Sequence, residues 1–307
     1  MAITLFTNSS AMSASNALQK ANSTLSSAME HLGTGKRINK ASDDAAGLQV
    51  ATRLQGQTNG MAVAQRNIAD ASTMLQTGEG AMDEVSNIMY RMKDLATQGA
   101  TDTNTADSRK AIDTELTSLN TELSSIMGNT SYAGNKLFSD TTGKDANGAT
   151  TTTATAKMGA AMTFQTGSES GETTKVDVSA QLKNVFTSIN ALSSASVQDT
   201  AADTTNNVDA VSGTTKANTL IDTLNTALDN VSSLRSSFGA SINGLSHASA
   251  NLTNMKDNTD QALGNIQDAD FASEASKMTR SQMLAQTSTS MLKQSNSMSS
   301  LVMSILG

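Results

Sequence analysis

Residues 220–266 read LIDTLNTALDNVSSLRSSFGASINGLSHASANLTNMKDNTDQALGNI. Apolar side chains recur every three or four residues from Leu220 and Leu224 onward, which is the period of one helix face. A helix of about 46 residues would be about 69 Å long at 1.5 Å per residue. That length exceeds the roughly 50 Å diameter of a compact chain of this size. The stretch therefore predicts a mainly α fold and an elongated rod of long antiparallel helices.

The composition supports long helices and excludes several classes of protein. The 307 residues include no Pro, and a proline inside a helix costs about 3 kcal/mol. The absence of Cys excludes disulfides and thiolate metal sites. A net charge of −7 without a basic cluster argues against nucleic acid as a partner. The sequence contains no run of 18 apolar residues, so we expect no membrane insertion.

Two shorter apolar stripes predict further helices in the middle of the chain. One runs from Ala81 to Leu95 and the other from Ile112 to Ile126. Residues 101–107 between them are small or polar and predict a turn. Helices joined by such short turns form antiparallel hairpins within a bundle.

The two chain ends carry few charges and show a seven-residue apolar repeat. Residues 1–29 and residues 281–307 each contain one charged side chain. The repeat predicts a terminal coiled-coil pair that also packs against other copies, because uncharged polar faces can be buried without stranding charges. An ordinary amphipathic helix packed on a core is the open alternative. The predicted seam residues are Leu18, Leu25, Leu32, Leu284, Met291, Met298, Leu301 and Ile305.

The helical pattern stops between residues 139 and 213. Residues 140–153 form a low-complexity, Thr-rich stretch that predicts a loop. Residues 162–166 and 174–178 alternate in the manner of strands around a glycine-containing turn, which predicts a β-hairpin. Residues 181–192 predict a short helix.

The sequence offers no catalytic or metal-binding constellation. The two histidines, His31 and His247, lie in no metal-ligand spacing. Paired carboxylates at 43–44 and 268–270 precede helical stretches, where capping oxygens explain them. We therefore expect a protein that is not an enzyme and binds no cofactor. No basic region precedes Lys20, so we also expect no cleaved signal peptide.

Three stretches resemble those of bacterial flagellins. Residues 37–47, RINKASDDAAG, match the N-terminal signature of that family, and residues 266–274, IQDADFASE, resemble its C-terminal signature. Residues 135–138 and the hairpin resemble the turn into its small β region. The matched signature residues are Arg37, Asn39, Asp43, Asp44 and Gly47.

The resemblance implies a structural subunit that polymerises into the bacterial flagellar filament used for swimming or swarming. It implies a terminal helical coiled-coil domain, 1–42 with 267–307, in the inner core of the filament. It further implies a helical rod domain, 43–140 with 178–266, and an outer β-hairpin and loop region, 141–177. The short length and high Met content resemble lateral-type flagellins.

The resemblance also implies partners and a location. These are other flagellin copies, an export chaperone at the C-terminal helix, and hook-associated and cap proteins. Export through the flagellar type III apparatus would place the protein outside the cell. The hook–filament junction protein is the alternative within this group. A type III-exported effector is a third hypothesis, but the sequence shows neither the membrane-active segment nor the enzymatic site that it predicts.

The stretch Arg91–Gln98 resembles the segment by which many flagellin monomers engage Toll-like receptor 5. The residues that correspond to receptor contacts are Arg91, Leu95, Gln98 and Glu115. A structural interpretation stays open, because Met92 and Leu95 also lie on the apolar stripe of their helix.

Overall fold

A computed structural model confirms the predicted mainly α fold. The structure describes the backbone of residues 8–138, 141–144, 150–153, 156–193, 197 and 213–306, and the side chains of 8–138, 156–192, 197 and 213–298. The described helices are α1 (Ser9–Thr34), α2 (Ala45–Gly99), α3 (Ala106–Asn129), α4 (Ser179–Ser193), α5 (Gly213–Gln267) and α6 (Phe271–Leu306). The described strands are β1 (Ser131–Tyr132), β2 (Asn135–Lys136), β3 (Thr141–Lys144), β4 (Thr150–Thr153), β5 (Met162–Gln165) and β6 (Thr173–Val176).

The chain forms two compact units. Unit 1 comprises Met1–Asn59 with Met255–Gly307, and unit 2 comprises Gly60–Asn254. Both chain ends therefore belong to unit 1, in which α1 packs against α6.

Unit 2 contains an apolar core built from the stripes that the sequence predicts. The most deeply buried side chains include Leu75, Met82, Met89, Met92, Leu123, Phe138, Met158, Leu224, Leu234, Phe238 and Leu245. They come from α2, α3, α5, the segment after β2 and the short 3-10 helix Lys157–Gly159. The rings of Phe138 and Phe238 lie 6.4 Å apart between centroids and are tilted by 33°. Methionine fills much of the remaining core space, where its flexible side chain suits irregular gaps.

The small antiparallel strand pairs match the predicted β-hairpin region, with one correction. Strands β5 and β6 pair with Met162 opposite Val176 and Gln165 opposite Thr173. Strands β3 and β4 also pair, although the sequence predicts a loop there. Their Thr content explains the difference, since β-branched side chains favour extended backbone.

The turn between α1 and α2 connects the N-terminal segment of unit 1 to its C-terminal segment. Helix α1 ends at Gly35, whose φ of +72° is a left-handed conformation that favours glycine. The Arg37 N–H donates to the Gln267 carbonyl at 2.7 Å, and the Arg37 guanidinium donates to the Ile266 carbonyl at 2.9 Å. The Ala269 N–H donates to the Gly35 carbonyl at 2.9 Å. These bonds place the start of α6 beside the end of α1.

The acidic residues of the same turn satisfy backbone N–H groups, as the capping prediction requires. The Gly47 N–H donates to Asp44 Oδ1 at 2.8 Å at the start of α2. The N–H groups of Lys40 and Asn39 donate to Asp43 Oδ2 at 2.9 and 3.0 Å. The signature residues of this stretch therefore have a structural role that their contacts explain.

We expect Gly47→Ala to destabilise unit 1. A Cβ atom at this position would lie 2.5 Å from Asp44 Oδ2 and 2.7 Å from Ile38 Cδ1, and the resulting rearrangement of the cap and core should cost about 1–3 kcal/mol. Urea unfolding followed by circular dichroism measures the change.

Gly56→Ala is the matched control on the same helix, because its added Cβ meets nothing within 4 Å. Replacing an unhindered helical glycine by alanine should raise the free energy of unfolding by up to about 1 kcal/mol. Equal changes in the free energy of unfolding for the two substitutions would show that the contacts around position 47 do not require glycine.

We also expect the turn between α1 and α2 to lose stability in acid, because the Asp43 carboxylate becomes protonated. Hydrogen bonds from the N–H groups of Lys40 and Asn39 hold the pKa of Asp43 below its ordinary value of 3.8. The stabilisation is present above that ordinary value and is lost as the pH falls through the lower pKa of the folded state. The melting temperature of the unaltered chain should therefore fall more steeply between about pH 5 and pH 2 than that of Asp43→Asn. Parallel curves would contradict this role.

Candidate self-assembly surface

The contact between α1 and α6 is built from small side chains. Ala14, Ala21 and Ala28 are the buried residues of α1, with exposed fractions of 6% or less. Ser281 and Ser288 are buried on α6. Small residues at these positions allow the two helix backbones to approach closely, because no bulky side chain separates them.

Polar contacts at both ends of the pair fix its antiparallel register. Asn8 Nδ2 donates to Ser295 Oγ at 2.7 Å, and the Asn8 Oδ1 atom caps the start of α1 by accepting from the Ala11 N–H. At the opposite end, His31 Nδ1 lies 3.7 Å from Glu274 Oε2. The beginning of α1 therefore lies beside the late part of α6, and the end of α1 beside its beginning.

Glu274 is a buried carboxylate within this contact. Its side chain is 7% exposed, and Lys277 Nζ donates to its Oε1 at 2.7 Å. It also occupies the first turn of α6, where the helix dipole favours negative charge. A buried carboxylate costs free energy unless it is paired, so this arrangement tolerates little change at either partner.

The predicted seam residues differ in their exposure within the single chain. Leu18, Leu25 and Leu32 are half-buried and alternate with Ala14, Ala21 and Ala28 along one stripe of α1. Leu284, Met291 and Met298 are exposed by 52, 61 and 62% and do not form the contact with α1. The side chains of Leu301 and Ile305 lie outside the described residues.

The face of α6 that does contact α1 has its own seven-residue repeat. Buried or half-buried residues recur there with spacings of three and four, namely Glu274, Met278, Ser281, Ala285, Ser288, Leu292 and Ser295. Sequence reasoning missed this stripe because most of its members are small or polar. The spacing itself was a usable signal, since it continues unbroken from residue 274 to residue 295.

Leu284 borders an open groove between α1 and α6. Ala17, Lys20 and Thr24 line one side of this groove, while Arg280 and Leu284 line the other. Lys277 lines the groove as well, so the apolar Leu284 side chain lies exposed beside three cationic ones on the surface of the terminal pair.

The predicted receptor-contact residues lie in unit 2 and have different environments. Arg91 Nη2 and Nε donate to Glu115 Oε1 at 2.7 and 3.2 Å, which forms an exposed salt bridge between α2 and α3. Gln98 is exposed, whereas Leu95 is 3% exposed and belongs to the apolar core. The structure thus brings Arg91 and Glu115 together and directs Leu95 inward.

The described residues contain no group of His, Cys, Asp and Glu placed to hold a metal ion. Across the same residues, no helix combines the length and apolar character needed to cross a bilayer.

Comparison with known families identifies both ends of the chain. The family described as the bacterial flagellin N-terminal helical region matches residues 5–143. The family described as the bacterial flagellin C-terminal helical region matches residues 221–306. A solved structure described as a putative flagellar hook-associated protein from Vibrio parahaemolyticus shares the fold, with a TM-score of 0.53 at 19% identity over 74% of this chain and 100% of that chain.

Named relatives match along the whole chain. Polar flagellin F of Vibrio parahaemolyticus is 33% identical to this chain over an alignment 380 positions long. Flagellin B of Vibrio anguillarum is 34% identical over an alignment of 379 positions. Each alignment covers all of this chain and all of the relative. The chain belongs to the bacterial flagellin family, and it is a structural subunit that polymerises into the extracellular flagellar filament used for motility.

Proposed function

We propose that neighbouring copies in the filament cover the exposed stripe formed by Leu284, Met291 and Met298. The observation that carries this proposal is their exposure of 52–62% on a stretch of α6 whose only charge is Lys293. Burying each such side chain contributes about 1.5–3 kcal/mol. Leu301 and Ile305 extend the seam by sequence spacing alone.

Three half-buried leucines on α1 complete the proposed seam. Leu18, Leu25 and Leu32 are half-buried, so each retains exposed apolar surface. A neighbouring copy packed beside these leucines would bury that surface without separating α1 from α6. Contacts of this kind join unlike surfaces, so they extend into an open helical polymer rather than closing into a ring.

Within the filament we assign regions of the chain to three layers. Residues 1–42 and 267–307 form the inner core, residues 43–140 and 178–266 form the helical rod, and residues 141–177 form its outer part. The antiparallel pairing of α1 with α6 supports the first assignment, because both ends then contribute to one assembly surface. We assign the chain a structural role and no catalytic one, in keeping with its family.

We further propose a dedicated export route. The exposed stripe on α6 needs a cover before assembly, because exposed apolar surface promotes premature association. A chaperone on the C-terminal helix would supply that cover. Passage through the flagellar type III apparatus and later contacts with hook-associated and cap proteins complete the proposed pathway.

We propose recognition of the free subunit by Toll-like receptor 5 through Arg91, Gln98 and Glu115. Arg91 and Gln98 are exposed on one helix, and the Arg91–Glu115 pair presents both charges at the surface. Leu95 supports this segment from the core.

Replacing the stripe should abolish filament growth. We expect the triple variant Leu284→Ser, Met291→Ser, Met298→Ser to lose seeded elongation, because three apolar contacts between copies disappear while the small-residue contact with α1 remains. Negative-stain electron microscopy after addition of filament seeds measures elongation. The matched control is Gln282→Ser, Thr289→Ser, Asn296→Ser, three exposed polar positions on the same helix.

Normal elongation by the Ser triple variant would reject the proposed seam. A chain lacking residues 281–307 provides a second test and should not elongate at all. If neither the intact nor the shortened chain assembles, and the intact chain binds a hook component one-to-one, the junction-protein alternative is favoured instead.

Receptor recognition is tested with purified monomers on reporter cells that express the receptor. We expect Arg91→Ala to weaken signalling about tenfold, which corresponds to the roughly 1.4 kcal/mol that a charged contact contributes. Arg53→Ala, an exposed arginine on the same helix, is the control. Equal signalling by both variants would leave Arg91 with a structural role only.

A further inference from the structure

Among the residues whose side chains the structure describes, most methionines fall into two environments that follow the two units. Seven in unit 2 are almost fully buried, with exposed fractions of at most 7%: Met61, Met74, Met82, Met89, Met92, Met127 and Met158. Six in unit 1 are exposed by 42–62%: Met12, Met29, Met255, Met283, Met291 and Met298. Met162 in unit 2 and Met278 in unit 1 are half-buried.

This separation has a chemical consequence. Oxidation of a thioether depends on access of the oxidant to the sulfur, so exposed methionines react while buried ones are protected. A water-borne oxidant should therefore reach unit 1 and spare the core of unit 2. The half-buried Met162 and Met278 should react more slowly than the exposed set.

Met291 and Met298 occupy a special position among the exposed methionines. They lie seven residues apart, on the same stripe as Leu284 and adjacent to the Ser281–Ser288 face that contacts α1. Residues 281–298 of α6 carry one charged side chain, that of Lys293. Both thioethers are therefore accessible in the free subunit and lie on the stripe that assembly is proposed to cover.

We propose that Met291 and Met298 are oxidative modification sites that control assembly of the free subunit. The oxidant is a peroxide, in the simplest case hydrogen peroxide. The thioether sulfur attacks one peroxide oxygen, an S–O bond forms as the O–O bond breaks, and the second oxygen leaves as water after proton transfer. The sulfur loses two electrons to give the sulfoxide, and the peroxide gains them.

The modified subunit retains its fold but loses its assembly surface. A sulfoxide is polar and carries a strong hydrogen-bond acceptor, so burying it between copies without a donor is unfavourable. Unit 2 keeps its core, since its buried methionines do not react. Subunits already in the filament are protected because the stripe is covered. This inference rests on the proposed seam, and the experiment separates the two.

The test treats purified full-length chain with hydrogen peroxide, removes the peroxide and adds filament seeds. Peptide mass spectrometry locates the sulfoxides, and electron microscopy measures elongation. We expect oxidation at Met291 and Met298 in free chain, little oxidation there in filaments, and at least a tenfold loss of elongation after treatment. Methionine sulfoxide reductases acting on the treated chain should restore elongation.

Two Leu variants make the test specific, because Leu and Met are similar in volume. Elongation by Met291→Leu with Met298→Leu is compared with that of the same variant before treatment, and peroxide should leave this ratio unchanged while it lowers the ratio of the unaltered chain at least tenfold. Met12→Leu with Met29→Leu, the exposed methionines of α1, should stay as sensitive to peroxide as the unaltered chain.

Equal inactivation of the α6 double variant and the unaltered chain would overturn the proposal. So would full elongation by chain that carries both sulfoxides. If the Ser triple variant described above fails to elongate while doubly oxidised chain succeeds, the seam stands and only the redox inference fails. If the Ser triple variant elongates normally, the seam fails and this inference fails with it.

Discussion

The close contact between α1 and α6 is the interaction on which the terminal part of the structure depends. Alanines on α1 meet serines on α6, and the buried Glu274 is held by Lys277 beside His31. Leu284, Met291 and Met298 on α6 lie outside this contact and are exposed by more than half, so apolar surface remains uncovered in the single chain.

The turn between α1 and α2 makes that contact possible. Its backbone N–H groups, carbonyls and the Arg37 guanidinium bond directly to the end of α5 and the start of α6. Asp43 and Asp44 satisfy N–H groups that a helix start would otherwise leave unpaired. Gly47 leaves no room for a side chain beside Asp44 and Ile38. The most recognisable stretch of the sequence is thus the stretch with the most demanding local geometry.

Unit 2 is stabilised in a different way from the terminal pair. Its core contains leucine, methionine and two phenylalanines that are fully buried. Such a core supports a stable fold within one chain, because the apolar area that it removes from water is large. The terminal pair instead exposes Leu284, Met291 and Met298. A subunit that polymerises benefits from this division between a stable core and an incomplete surface.

The sequence by itself determined the helices, the β5–β6 hairpin, the turn after α1 and the family. Apolar periodicity and capping are local properties, so they can be recognised without knowing which segments meet. Only the tertiary structure decided which stripe of α6 contacts α1. The stripe through Leu284 and Met291 and the stripe through Ser281 and Ser288 have the same seven-residue repeat, and hydrophobicity favoured the first. Burial selects the second, which combines Ser281 and Ser288 with Met278 and Leu292, because packing depends on how side chains of both helices fit together and not on the hydrophobicity of one stripe alone. The inward direction of Leu95 was likewise a property of the packed core rather than of its spacing.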